Sequence, residues 1–496
     1  MELSNPVGPN LRLERPIAFS ASGHRFLASL GSSIAPSEGG NAGPLQLPGV
    51  MSAGCLPLSE RACCLLRIGS TPHENHRLRL RDRPALALVF IVEGPTRGRV
   101  PFQGDSEALI VASLERSRQT DHPRVDGVTT FMNRPDGRPY LSQFGLQKRL
   151  LAGLLTVNGD LERFLELAWA GFGILTAIVL AWWIAFESER SGPVTAAVVL
   201  VLVALSPWVA AFSTVLYWSS FLFYLPFVVV WTARSGPAES QRWLGPVVLG
   251  LVAAKSLCGY EYFSNIVASV GVAAVWRDLE DGSDVAGALR RAFRLCLWAV
   301  GGFAVAVAAH VLAAAALAGS LAGGFAIFLE RATARTVGDD LHRPISILAD
   351  LKTWLLYFAI RVLPHVSQAA LVLVVAGSAV FVRRRRSAAG RQALAIGLPL
   401  AMMASLSWNL LAWGHMRYHF HINAITFFIP FNLVGFLLIG GAVAEALSAL
   451  VTRRRQIVEM LIAEENRQRT APAKLRKGIQ QHVEWLRKGA RRQQAR

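Results

Sequence analysis

The sequence predicts an all-α polytopic membrane protein with about nine to ten transmembrane helices and interfacial helices on the outer face. Long stretches of the 496-residue chain carry no charge, and 52% of its residues are hydrophobic. The net charge of +18 is uneven, because residues 452–496 alone hold thirteen Lys or Arg and four Glu. This asymmetry indicates membrane orientation with a cytoplasmic C-terminus, and no nucleic-acid partner.

The first 84 residues differ from the rest of the chain. They are rich in Ser, Pro, Gly and Arg, and they show neither a helical or strand period nor the pattern of a signal peptide. We expect a disordered extension, or a stretch in which a frame error in the coding sequence has replaced a first membrane helix. The apolar run "ALALVFIV" at 85–92 spans only about 12 Å as a helix, against a hydrocarbon core of about 30 Å.

Residues 85–163 are expected to form an external region with an acidic loop, 164–450 a transmembrane helical domain, and 451–496 a basic amphipathic tail on the cytoplasmic side. A crossing helix needs about 20 apolar residues. Runs of this kind lie at 164–186, 193–212, 214–233, 295–317, 366–382, 392–411 and 424–446, and the apolar region 243–276 is long enough for two short helices joined by a polar corner. Clusters of Arg such as "RRRR" at 383–386 and "RRR" at 453–455 mark the cytoplasmic side.

An acidic pair stands in the predicted external region, in "QGDSEALI" at 103–110. Asp105 and Glu107 suit a general base acting on a sugar hydroxyl, or ligands to a divalent cation bound to a phosphate. The alternative is structural: Asp105 caps the following helix and Glu107 interacts favourably with its dipole.

Two further segments on the same predicted side carry polar groups. In "RPDGRPYLSQFGLQKRLL", at 134–151, Gln143 and Gln147 suit a hydroxyl-rich ligand, unless the segment is only a polar linker. The corner "KSLCGYEYFSN" places Lys255, Tyr260 and Glu261 near membrane depth, where ionisable groups are costly and usually functional. The alternative for the corner is that its tyrosines anchor the interface and Lys255 extends to the headgroups.

The decapeptide "GHMRYHFHIN" at 414–423 combines His415, Arg417, His419 and His421. The four-residue spacing of His415 and His419 allows a metal site, but Arg417 would repel a cation. Contact with a phosphate is the favoured interpretation, and an ordinary wet loop between helices is the alternative.

Two amphipathic segments are expected to contact membrane lipids. The long external loop 319–365 mixes apolar stripes with charged residues, and the tail places Leu475, Ile479 and Val483 on one face among Lys and Arg.

Taken together, these residues resemble the GT-C superfamily of membrane glycosyltransferases, which take a sugar from a polyprenyl-phosphate carrier on the outer face of the membrane. The resemblance covers roughly residues 101–450 and depends on the helices, the "DSE" motif and the interfacial loop. It implies Asp105 as catalytic base, Glu107 as its partner, a lipid-linked sugar as donor substrate, and a cell-membrane location. Members differ in their use of a divalent metal, so metal dependence stays open. The superfamily has a full helix before its acidic loop, where this chain has eight apolar residues.

The resulting hypothesis is an inverting glycosyltransferase that moves a sugar from a lipid-phosphate carrier to an acceptor. A transporter or lipid flippase is the second interpretation, with His310 as the main ionisable candidate within a span. A membrane scaffold without catalysis is the third.

Overall fold

The computed structural model describes residues 106–119, 131–135, 138–158, 160–233, 242–337, 355–356, 358–412, 416, 424–470, 477–478, 480–485 and 488. Its helices, in chain order, are α1 (Ser106–Gln119), α2 (Leu146–Asn158), α3 (Leu161–Ser191), α4 (Pro193–Leu205), α5 (Pro207–Ser213), α6 (Ser220–Thr232), α7 (Leu244–Cys258), α8 (Phe263–Glu280), α9 (Val285–Ala318), α10 (Leu321–Val337), α11 (Gln368–Arg383), α12 (Ala388–Leu411), α13 (Ala424–Phe427) and α14 (Leu433–Thr470), with a π-helical segment Phe428–Asn432 before α14.

Two short antiparallel ladders complete the described structure. Strands β1 (Met132–Asn133) and β2 (Pro139–Tyr140) precede α2, and β3 (Arg361–Leu363) and β4 (Val366–Ser367) precede α11. The chain is therefore mostly helical, as its sequence predicts.

Within the described residues, four helices are long and apolar enough to cross a membrane: Leu161–Ser191, Val285–Ala318, Ala388–Leu411 and Ala424–Arg467. The helices α4 and α5 add a fifth if the pair, which is bent by 68°, is counted as one span. The shorter apolar helices α6, α7 and α11 fall on other predicted spans but do not reach that length. The structure thus supports a membrane-embedded helical protein with four to five spans, and nine to ten spans are not confirmed.

Several helices begin where the sequence supplies a capping side chain. Asp160 accepts from the backbone N–H of Glu162 at the start of α3, and Asp284 accepts from that of Gly287 at the start of α9. Ser367 and Ser387 cap α11 and α12 in the same way. Such caps satisfy N–H groups that have no partner inside the helix, and they fix where each helix starts.

Helix α8 lies at the centre of the described bundle. It packs against α6, α7, α9 and α12, and nearly all its residues from Ser269 to Leu279 are buried. Near its start, the Asn265 side-chain amide donates to the carbonyls of Ser405 and Thr426, both at 3.0 Å. Asn265 therefore ties α8 to α12 and to α13, beside the irregular segment that precedes α14.

Close helix packing in the bundle depends on small residues. At Gly302 of α9, an added Cβ would overlap the Leu249 carbonyl of α7, whereas at neighbouring Gly301 it would meet only the Leu249 side chain, at 3.5 Å. Small residues at such crossings let helix backbones approach each other.

The bundle has two chemically distinct ends. The Glu261 end is where α6 and α8 begin and α7 finishes, and it includes Tyr217 and Glu261. The Glu280 end is where α3, α6, α8 and α11 finish, and it includes Glu187 and Glu280.

Candidate functional site

The carboxylate of Glu107 joins α1 to the segment between α5 and α6. It accepts hydrogen bonds from Trp169 Nε1 at 2.7 Å, from the Leu216 N–H at 3.3 Å and from the Tyr217 N–H at 3.2 Å. Glu107 is buried, and this burial raises the pKa of its carboxyl, while the three hydrogen bonds lower it. The contacts position the backbone of Tyr217, which contributes directly to the candidate site.

The side chain of Tyr217 meets Gln143 and Glu261 in a buried polar cluster. Its hydroxyl donates to Glu261 Oε1 at 3.1 Å, and the Gln143 amide donates to both Glu261 Oε1 and the Tyr217 hydroxyl. Gln147, one helical turn after Gln143, donates from its amide to the Tyr217 carbonyl at 3.1 Å. The cluster unites three segments that are remote in sequence, and the neutral groups of Gln143 and Tyr217 are two of the donors to the Glu261 carboxylate.

Gly259 provides the space for this cluster. A Cβ at this position would lie 2.5 Å from Glu261 Oε2 and 2.9 Å from Gln143 Oε1. The Gly259 carbonyl also accepts a hydrogen bond of 3.1 Å from Lys255 Nζ, which directs this buried ammonium toward the corner between α7 and α8.

A small cavity of about 10 Å³ lies beside Lys255, and Phe212, Trp218, Ser220, Phe223, Tyr262 and Ile425 complete its lining. The volume corresponds to roughly one water molecule. Trp218 Nε1 and the Tyr262 hydroxyl are buried and make no hydrogen bond among the described residues. Both residues line the cavity, so a small acceptor there, such as one water molecule, is a chemically suitable partner for these donors.

The backbone around the cavity is strained. Ser219, before α6, has φ 47°, and Tyr262, before α8, has φ 63°. A left-handed conformation is unfavourable for residues with a side chain, and for bulky residues it is a true outlier that tends to occur at functional sites. Both residues start a helix at the Glu261 end, and the strain directs Trp218 and Tyr262 into contact, with ring centroids 5.3 Å apart.

Tyr260 faces away from the Glu261 cluster. Its hydroxyl lies 2.7 Å from His310 Nδ1 on α9, and the two rings stack with centroids 5.5 Å apart. Phe303 and Phe328 contact the Tyr260 ring edge-on. This arrangement makes Tyr260 part of the packing of α9 and α10 around His310.

The structure therefore brings together Gln143, Gln147, Lys255 and Glu261 from two segments that the sequence singled out. Asp105, His415, Arg417, His419 and His421 lie outside the described residues. Sequence reasoning missed Tyr217 and Trp218 as site residues, because aromatic residues next to an apolar run are typical of ordinary interface anchors.

No group of three or more His, Cys, Asp or Glu side chains that could hold a metal ion occurs in the part of the chain that the structure describes. Comparisons with protein-family models, with curated proteins and with solved structures give no match.

Proposed function

We propose that this chain is a membrane glycosyltransferase that moves a sugar from a lipid-phosphate carrier to an acceptor at the Glu261 end. The observation that carries the proposal is the set of donors around the small cavity: the Lys255 ammonium, Trp218 Nε1 and the Tyr262 hydroxyl, next to the Glu261 carboxylate. The oxygens of a phosphate accept hydrogen bonds and carry charge, so this set matches a departing phosphate group.

In the proposed reaction, the Asp105 carboxylate removes the proton from the acceptor hydroxyl. The hydroxyl oxygen bonds to the anomeric carbon as the bond from that carbon to the carrier phosphate breaks, and the phosphate leaves with the electron pair. Attack from the side opposite the phosphate inverts the configuration. Asp105 directly precedes α1, which Glu107 holds against the Tyr217 segment, and this supports its role near the cluster.

The amide of Gln143 and the carboxylate of Glu261 are proposed to bind sugar hydroxyls. A neutral donor beside a carboxylate acceptor suits groups that donate and accept at once. Because the cavity has a volume of only about 10 Å³, entry of the sugar phosphate requires its aromatic walls to move apart. Arg417, His415, His419 and His421 are proposed to complete the phosphate contacts.

The proposed topology includes the shorter apolar helices as spans, which gives about nine to ten crossings. It places the protein in the cell membrane, with the Glu261 end on the outer face. The Arg clusters at 383–386 and 453–455 support the proposed cytoplasmic position of the Glu280 end and of the C-terminus.

Reconstitution in proteoliposomes with polyprenyl-phosphate sugars tests the proposal by measuring sugar transfer and release of the carrier. We expect Asp105→Asn to abolish transfer, Lys255→Met to reduce it by about a hundredfold, and Lys477→Met to leave it unchanged, since Lys477 is exposed on the tail. Transfer that is unaffected by Asp105→Asn would refute the proposed base.

The helix breaks favour a transporter or flippase as the second candidate. Helices α4 and α5 bend by 68° at Ser206, and the chain leaves helical geometry at Ile429 (φ −129°, ψ 119°) before α14. Discontinuous helices of this kind occur at the binding sites of transporters. Uptake of a solute or lipid without sugar transfer in the same vesicles would favour this candidate. If the vesicles show neither uptake nor transfer, a membrane scaffold without catalysis is the function that remains.

A further inference from the structure

A second cavity, of about 210 Å³, lies at the Glu280 end, remote in the fold from the Glu261 cluster. Its walls come from the last turns of α3, α6 and α8, from the first turn of α4, from Arg386 and from one face of α14. The side chains that matter for recognition are Glu187, Trp231, Trp276, Glu280, Arg386 and Glu445. Nothing in the proposed transfer reaction uses this cavity.

The wall combines three carboxylates with one guanidinium. Glu280 accepts from both Arg190, at 2.6 Å, and Arg386, at 2.8 Å, so its charge is balanced. Glu187 is buried and accepts hydrogen bonds from two neutral donors, Trp231 Nε1 at 2.6 Å and Ser191 Oγ at 2.8 Å. The nearby guanidinium of Arg190, which pairs with Glu280, also interacts with Glu187 electrostatically. A buried carboxylate beside a cavity is most stable when a cation is close.

Glu445 adds a second carboxylate to the cavity wall. Its Oε2 is a buried atom that makes no hydrogen bond in the described structure, and it lies 3.7 Å from Arg385 Nε. This oxygen and the Glu187 carboxylate are supplied by different helices, α14 and α3, and both line the cavity. A donor-bearing cation in the cavity would have both carboxylates on the wall as acceptors.

Two further features favour a cation in this position. The helices α3, α6, α8 and α11 all finish at this end, and the C-terminus of a helix carries partial negative charge. The indoles of Trp231 and Trp276, with centroids 6.0 Å apart, form part of the wall, and indole rings attract ammonium groups.

The guanidinium groups restrict the ligand further. Arg386 lines the cavity and Arg385 contacts Glu445 beside it, so a purely cationic molecule would meet positive charge at this side. A molecule that joins an ammonium to a phosphate suits both parts, with its ammonium between the carboxylates and its phosphate toward the arginines. The volume of 210 Å³ is smaller than the roughly 300–1,000 Å³ of pockets for larger ligands, and it suits a headgroup.

We propose that this cavity between Glu187, Glu445 and the indoles of Trp231 and Trp276 binds an ammonium phosphate, of the kind that forms a zwitterionic phospholipid headgroup. The same chemistry is presented by a soluble molecule, so the experiment separates the two sources. The proposal does not depend on the glycosyltransferase assignment.

The test uses the purified full-length chain. Titration calorimetry in detergent measures binding of O-phosphoethanolamine, with glycerol 3-phosphate as the probe without an amine. Native mass spectrometry from nanodiscs measures retention of phosphatidylethanolamine against phosphatidylglycerol. Binding of O-phosphoethanolamine supports a soluble ligand, and retention of phosphatidylethanolamine supports a lipid.

Two variants and one control make the test specific. Glu187→Gln keeps an acceptor for Trp231 but removes the charge, and we expect about tenfold weaker binding. Gly441→Leu fills the cavity while keeping every charged group, because a Cβ at Gly441 meets only Val382, at 3.8 Å, and we expect it to abolish binding. Glu330→Gln alters an exposed carboxylate of α10 and should bind as the wild type does.

Sugar transfer should be retained in both cavity variants, which separates this site from the proposed reaction. The proposal is overturned if the wild-type chain binds neither amine probe. The proposal is also overturned if the wild-type chain binds the amine-free probes as well as the amine probes. A third contrary result is equal binding in Glu187→Gln, Gly441→Leu and wild type.

Discussion

The two ends of the helical bundle turn the chain in different ways. At the Glu280 end, the left-handed turns are taken by glycine, Gly192 with φ 89° and Gly282 with φ 88°. At the Glu261 end, Ser219 and Tyr262 take left-handed conformations although both carry side chains, with φ values of 47° and 63°. Gly145, between Gln143 and Gln147 at the Glu261 end, also has a positive φ, of 72°, but Ser219 and Tyr262 at that end retain backbone strain.

The two ends also differ in the groups that bind their carboxylates. At the Glu280 end, the Glu280 carboxylate is matched by two arginines, Arg190 and Arg386. At the Glu261 end, the Glu261 carboxylate accepts from the neutral groups of Gln143 and Tyr217. The backbone strain at the Glu261 end is typical of sites that act on a ligand.

Removal of one buried carboxylate from each end gives the largest predicted effect. Glu107→Ala leaves Trp169 Nε1 and two backbone N–H groups without an acceptor, and we expect it to lower the free energy of unfolding by about 4 kcal/mol and to abolish transfer. Glu187→Ala leaves two side-chain donors without an acceptor, Trp231 Nε1 and Ser191 Oγ. We expect it to lower the free energy of unfolding by about 2 kcal/mol and to retain transfer. Thermal unfolding in detergent and the transfer assay measure both, and equal costs would contradict the comparison.

The next largest effect is a change of folding stability with pH, which we expect from the titration of Lys148 on α2. Lys148 is 3% exposed, and burial, together with Arg149 and Arg116, lowers its pKa from 10.5 to about 8. Because the folded-state pKa is the lower one, the folded protein should become more stable as pH rises from about 8 to 10.5, by roughly 3 kcal/mol. This gain in stability is complete above pH 10.5 and is lost as the pH falls through about 8.

Unfolding temperatures measured between pH 7.5 and 10.5 provide the test, in steps of roughly half a unit. Lys148→Met should remove this pH dependence and raise stability at neutral pH. A slope of stability on pH that persists in Lys148→Met would show that another group titrates.

Two glycine substitutions separate function from stability. Gly259→Ala brings a Cβ against Glu261 and Gln143 on extended backbone, so we expect about tenfold slower transfer and a loss of no more than about 1 kcal/mol of stability. Gly282→Ala meets nothing within 4 Å but must hold φ 88°, so we expect about 1 kcal/mol of destabilisation and unchanged transfer. The reverse pattern would show that the Glu261 cluster is structural.

The smallest effect is expected from relief of strain at Ser219. Ser219→Gly allows the left-handed backbone without steric cost, and we expect stability to rise by about 0.5 kcal/mol while transfer falls. Gly192→Ser makes the opposite change at the Glu280 end and should lower stability, because the new Cβ has nothing within 4 Å to compensate for the strained backbone. A loss of stability in Ser219→Gly would indicate that the Ser219 hydroxyl, 3.3 Å from the Leu216 carbonyl, outweighs the strain.

The sequence predicts the helical class well, because apolar runs and capping residues are local signals. The caps Asp160 and Asp284, for example, stand directly before their helices. The number of spans is harder to predict from the sequence. An apolar run such as 214–233 contains both a turn and the short helix α6. Apolar length along a sequence does not show where the backbone bends.

The candidate site was predicted in part. Glu261 and Lys255 stand out because ionisable residues inside an apolar region are costly. Tyr217 does not stand out, since its importance comes from two contacts with residues more than forty positions away in the chain, Glu261 and Gln143. The carboxylate of Glu107 was identified by its motif, but its bonds to the backbone of Leu216 and Tyr217 could be found only in three dimensions.

The side-chain hydrogen bonds among Gln143, Tyr217 and Glu261 also have an evolutionary consequence. A substitution at one of these three positions changes the partners that are left for the other two. Relatives of this protein should therefore exchange these residues in concert, with a carboxylate lost at 261 accompanied by a new partner at 143 or 217. Such correlated exchange would mark the three positions as one inherited unit.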